Sequence, residues 1–297
     1  MLGVFHAHEG TSHESDAETE DNADACALLK TAVAVNMEKE YAWLQKLRCV
    51  EVFQRLLHSV RECASRLHAH AKMDGRMKLP EGTKARAEQL QLVARNGGEA
   101  LKGSVTLLGD NVIACEIVLR HSKSPGGVYR GVAQPEVQWK LQQIQDMTNY
   151  LARAALILEE ALHRAKALRE SGDWDRTAGS VLDRATRDVR NALCSARNAV
   201  VLPRKRTLLE LCQFPPTKKW TPPLPMEHLV SVYVSGCRLI LAVYQITPNL
   251  KQVAKDVTVV SAEATIPVMP QILAILGSSL RNVQNLLNHL DVIAPKY

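Results

Sequence analysis

Ten histidines and seven cysteines are the side chains of this 297-residue chain best suited to binding metal or acting as nucleophiles. Near the start, His6 and His8 form an H-x-H pair beside Glu9, with His13 following, a donor set that a transition metal accepts. The flanking residues are polar and patternless, so ordering them around an ion carries an entropic cost and specific metal binding is not expected. His68 and His70 stand two apart near the end of a predicted helix, where they point to different faces and suit the C-terminal dipole better than a shared ion. Cys26, Cys49, Cys63, Cys115, Cys194, Cys212 and Cys237 are widely spaced, with no C-x-x-C pair, and read as buried free thiols of a reducing compartment. Neither a phosphate-binding glycine loop nor an H-E-x-x-H, G-x-S-x-G or EF-hand spacing occurs. No catalytic residue, cofactor or metal is therefore assigned, and the expected protein is not an enzyme.

Two further patterns point to binding. Arg204, Lys205 and Arg206, with Lys218 and Lys219 beyond them, form a basic cluster that would serve as a nuclear address or a nucleic-acid contact. Trp220 adjoins the cluster as a candidate stacking aromatic, and a solvated linker accounts for the cluster more simply. Leu141, Ile144, Leu151, Leu158 and Leu162 follow alternating steps of four and three, a heptad seam. Such a seam makes an intermolecular zipper only if it finds no partner row in its own chain, so self-burial is the favoured use and a homodimer stays open.

Composition sets the frame for these residues. Hydrophobic residues make up 46%, charged ones 23% and aromatic ones 4%, which excludes a disordered chain and asks for a core of Leu, Val, Ile and Ala. Residues 1–25 hold seven acids and no Lys or Arg, leaving 24 acids against 37 bases and a body of +13 in residues 26–297. A basic body suits an acidic partner, whether protein, nucleic acid or membrane surface. With no signal-peptide pattern and no run of 18 uncharged apolar residues, the chain is expected to be neither secreted nor membrane-spanning.

Apolar spacing of three and four predicts one long helix from Glu38 to about Ala71, opened by Trp43, Leu44 and Leu47, then helices over 136–169, 176–201 and from Pro267 onward. Pro135 would sit in the first turn of the second. Between 89 and 133 the period falls to two, predicting a hairpin over Gly103–Arg120 and a short strand at 127–133; a second hairpin is expected near 229–234 and 238–246, with Val257–Val260 as one more strand. The predicted fold is α+β: an elongated antiparallel bundle of four long helices with a small antiparallel β lobe, both discontinuous in sequence. The expected division is a disordered acidic tail (1–36), a helical bundle domain (37–72, 135–202 and 267–297), a small β domain (86–134 and 226–264) and a Pro-rich linker (203–225).

The segment Gln138-Trp139-Lys140-Leu141-Gln142-Gln143-Ile144-Gln145-Asp146 strongly resembles the signature of the Rogdi leucine-zipper family. Glu38-Lys39-Glu40-Tyr41-Ala42-Trp43-Leu44 is similar to that family's first helix, Gly103–Asp110 to its first hairpin, and Pro223-Leu224-Pro225 through Gln245 to its second. The resemblance spans roughly 38–293 and marks Trp139, Gln142, Gln143, Gln145 and Asp146 as family-signature residues. It implies a non-catalytic adaptor of a RAVE-type complex, joined to a large WD-repeat (DmX-like) subunit and regulating assembly and activity of the vacuolar proton-pumping ATPase. It also implies an elongated two-lobed fold and a cytoplasmic protein held at vacuolar, lysosomal or vesicle membranes by its partners. After Ile246 the chain departs from the family by lacking much of an insertion, and its acidic tail is extra. The alternative from the residues alone is a nuclear coiled-coil or nucleic-acid-associated protein, suited to the basic cluster.

Overall fold

The computed structural model describes residues 14–67, 87–94, 98, 100–136, 139–171, 176–202, 206–214, 216, 219–247 and 256–293. Helix α1 (Glu14–Trp43) runs through a π-helical turn (Leu44–Cys49) into α2 (Val50–Arg66). Four strands follow, β1 (Glu88–Ala94), β2 (Leu101–Leu108), β3 (Asn111–Arg120) and β4 (Val128–Ala133), then the two-residue β5 (Trp139–Lys140). Next come α3 (Gln142–Ser171), α4 (Arg176–Val201), the short α5 (Leu208–Gln213) and the two-residue β6 (Trp220–Thr221). The chain ends with β7 (His228–Ser235), β8 (Arg238–Thr247), β9 (Asp256–Thr265) and α6 (Met269–Ile293).

The helices form where their apolar rows find one another. On α2, Phe53, Leu56, Leu57 and Val60 are buried, and they meet α3 and α6. On α3, Leu151, Ala154, Ala155 and Leu158 pack toward α2 and α4, and on α6 Ile272, Leu276, Val283 and Leu290 close the layer. A polar pin joins α1 to α4: the Tyr41 hydroxyl donates to Asp183 Oδ2 at 2.5 Å, and Gln45 Nε2 donates to Asp183 Oδ1 at 3.3 Å. Thr207 and Glu210 form a capping box that starts α5 between the prolines.

All nine strands join one antiparallel sheet, in the order β6-β4-β3-β2-β1-β9-β8-β7, with β5 paired to β3. β9 makes this possible, pairing along its whole length with β8 and, at Ala262 and Glu263, with β1. The sheet curls so far that β2 meets β8 across its inner face: a Cβ on Gly103 would lie 2.8 Å from a Leu241 methyl and 2.7 Å from the Glu116 carbonyl oxygen. Only glycine leaves room for that approach. Residues 222–227 then cross from β6 to β7, the two ends of the strand order. Tyr129 fixes this crossover by donating to the Pro222 carbonyl at 2.7 Å, its ring lying over Gly131, where any Cβ would collide with it.

These observations overturn the expected fold class. The protein is built on a large curled sheet of nine strands with six helices among the described residues, not on an elongated bundle of four long helices with a small β lobe. The excess comes from strands with weak local signals. β1 (Glu-Gln-Leu-Gln-Leu-Val-Ala) and the second half of β9 (Ser-Ala-Glu-Ala-Thr) are polar enough to pass for loop, and they become strand by pairing with neighbours distant in sequence. The second helix is also shorter than its periodicity predicts. It begins at Gln142, because Pro135 and Glu136 form a turn and Trp139 and Lys140 are captured by β3. In the first, Leu44 is buried but Trp43 and Leu47 are 55% and 46% exposed, since the π-helical turn shifts the phase of the row. Residues 14–36, expected as tail, form the opening turns of α1. His6, His8, His13, His68 and His70 lie outside the described residues.

Candidate functional site

Trp139 is buried beside the strand-to-helix turn that borders the first candidate site. Its indole is 3% exposed and meets Phe214 and Trp220 edge-on, with ring centroids 6.2 and 6.4 Å away. The Leu141 N–H donates to the Asp110 carbonyl at 2.8 Å, and the Leu141 carbonyl accepts from Ile144 and Gln145, so the chain turns from strand into helix at this residue. That turn presents Lys140, Gln142, Gln143 and Asp146 to a cleft of about 380 Å³. Gln142 Nε2 donates to Asp146 Oδ1 at 2.7 Å across one helical turn.

The opposite walls are Leu202 after α4, Arg206 and Glu210 around α5, and Tyr233 and Tyr244 on β7 and β8. Arg206 lies over the Phe214 ring at 3.5 Å, and partial burial pulls its guanidinium below its ordinary value while Glu210 opposes the shift. Burial also raises the Tyr244 hydroxyl. Amides, phenols and charges of both signs suit the recognition of a polar surface rather than bond-making.

A second cluster joins the β3–β4 turn to the start of β7. His121 follows β3, Glu227 precedes β7 and His228 opens it. His121 Nδ1 is 2.8 Å from Ser124 Oγ and its Nε2 is 3.2 Å from Glu227 Oε1, which also accepts from Lys123 Nζ at 2.9 Å. The two imidazoles meet edge-on at 5.1 Å. The Lys123 and His121 hydrogen bonds hold the Glu227 carboxyl down to about 2, whereas burial, and then His121, pull His228 below its ordinary value. His228 is 5% exposed, and its Nδ1 is buried with no hydrogen-bond partner among the described residues. Sequence reasoning missed this cluster because 106 residues separate His121 from Glu227. The only local signal was a histidine at the end of one predicted strand and another at the start of a second.

A family model described as Rogdi leucine zipper containing protein matches residues 40–263. The chain belongs to this family. It is 37% identical over 270 residues to the Rogdi homologue of Caenorhabditis elegans, covering 89% of this chain and 91% of that one. The Rogdi protein of Drosophila melanogaster is 26% identical over 261 residues, 88% of this chain and 90% of its own. The human Rogdi homologue is 28% identical over 212 residues, 71% of this chain and 67% of its own.

Of the residues that the resemblance marks as a signature, Gln142, Gln143 and Asp146 line the cleft, whereas the buried Trp139 and the half-buried Gln145 lie outside its lining. The heptad residues Leu141, Ile144, Leu151 and Leu158 are 1%, 4%, 0% and 0% exposed, and Leu162 packs half-buried against the same core. Arg206 joins the cleft, whereas Arg204 and Lys205 lie outside the described residues. All seven cysteines are free; Cys49, Cys63 and Cys115 are buried and Cys26 is exposed. No helix among the described residues is long and apolar enough to cross a membrane.

Proposed function

We propose that this Rogdi-family chain is a non-catalytic adaptor of a RAVE-type complex, acting on assembly and activity of the vacuolar proton-pumping ATPase through a large WD-repeat subunit. Family membership over 40–263 carries the reading. The placement of Lys140, Gln142, Gln143 and Asp146 supports it, because a surface made of amides and paired charges reads a partner by hydrogen bonds and charge complementarity. The adaptor works in the cytoplasm and reaches vacuolar or lysosomal membranes through its partners. Gentle affinity purification should recover a large WD-repeat protein and ATPase subunits, and a Lys140→Glu/Asp146→Lys double variant with an unchanged circular dichroism spectrum should lose them. Recovery of neither class with the unaltered chain, or normal acidification of vacuoles or lysosomes in null cells, would overturn the proposal.

A further inference from the structure

We propose that His121, Glu227 and His228 form a site for a zinc-class divalent ion that clips the β3–β4 turn to the start of β7. One donor atom from each residue lies within 4.8 Å of the others. Ligands around a tetrahedral zinc stand about 3.4 Å apart, given bonds of about 2.0–2.2 Å, so side-chain rotations of about 1 Å close the site. Two imidazoles and a carboxylate are a set that zinc favours, and three protein ligands leave a fourth position for water or a partner's side chain.

The surroundings are those of a prepared site. The buried Nδ1 of His228 has no partner among the described residues, although a buried polar atom ordinarily has one. Ser124 Oγ, at 2.8 Å from His121 Nδ1, can accept a hydrogen bond from the Nδ1–H tautomer, which leaves the Nε2 lone pair free for an ion beside Glu227, the second-shell arrangement of metal-binding histidines. The backbone beneath is fixed on both sides. The His121 N–H donates to the Gly127 carbonyl at 2.9 Å, the His228 N–H to Pro225 at 2.8 Å, and the Ile246 N–H to the Glu227 carbonyl at 2.8 Å. Cationic charge already stands against the carboxylate, supplied by the Lys123 ammonium. That side chain is 75% exposed and can swing into water as a dication replaces it, while the 24% exposure of Glu227 gives the ion a way in. Because His121 directly follows β3 while Glu227 and His228 stand at the start of β7, bound metal would link strands that the sheet order places far apart.

The full chain, stripped with chelator, should bind one equivalent of Co²⁺ with the visible absorption of a tetrahedral site, and Zn²⁺ should displace it and raise the melting temperature. Glu227→Gln and His121→Asn should each weaken binding by at least about tenfold. Lys123→Ala should tighten it, because the competing ammonium is gone; a purely structural ion pair would give no such gain. A chain with His6, His8 and His13 all changed to alanine should bind as the unaltered chain does. The proposal is overturned by absence of stoichiometric binding, by binding indifferent to Glu227→Gln and His121→Asn, by loss of the signal in the triple variant, or by a Lys123→Ala chain that binds no more tightly. Circular dichroism establishes that each variant is folded before its affinity is compared.

Discussion

Around α3 the contacts are aliphatic, with Leu151, Ala154 and Leu158 sealed between α2 and α4, whereas across the seam between the β3–β4 turn and β7 they are polar. The first kind of contact is non-directional, and its energy is spread over many methyl groups. The second rests on a few groups that must keep their geometry, and it responds to whatever alters their charge or ligation. The helical layer therefore contributes more to stability than the seam does, and the seam is where an ion would adjust the fold at small energetic cost.

The largest test of that contrast is Leu158→Ala. Leu158 is fully buried, so the substitution should lower the free energy of unfolding by about 2–5 kcal/mol in urea titrations. A loss below about 0.5 kcal/mol would mean that the aliphatic layer is not the foundation described. At the seam, Tyr129→Phe removes only the hydrogen bond to Pro222 and should cost about 0.5–1.5 kcal/mol. A cost equal to that of Leu158→Ala would erase the distinction between the two regions.

The finest test compares thiols. Cys63 on α2 and Cys115 on β3 are both fully buried, and desolvation pushes both up to about 12. Their ionised forms are thus disfavoured in the folded state. Stability is full below the unfolded thiol value of about 8.5 and falls as pH rises from there toward 12, by less than about 1 kcal/mol per thiol at pH 9. Cys63→Ala and Cys115→Ala should each flatten the fall in urea stability between pH 8 and pH 10. Flattening by one alone would show that only one of the two regions excludes water.

The helical rows were legible because periodicity is written within each segment: the residues that bury Leu151, Leu158, Val189 and Leu276 are spaced along single helices. The extent of the sheet was not, because β1 and β9 acquire their conformation from pairing across the chain. Half of the cleft was visible through the signature residues at 142, 143 and 146, but nothing local placed Tyr233, Tyr244 or Glu210 opposite them. Trp139 illustrates the limit from the other side: its heptad context predicts helix, while it pairs as a strand and packs on the buried Trp220 and the half-buried Phe214.

The π-helical turn at Leu44–Cys49 gives the chain an unusual tolerance of one deletion. Such a turn holds one residue more than the α-helical winding it interrupts, and each α-helical residue advances the helix by about 100°. Winding all six residues as ordinary α-helix would rotate the 30 residues of α1, about 45 Å long, by about that angle and swing Tyr41 away from Asp183. A single lost codon is absorbed here, whereas elsewhere in the helix it would re-aim everything upstream.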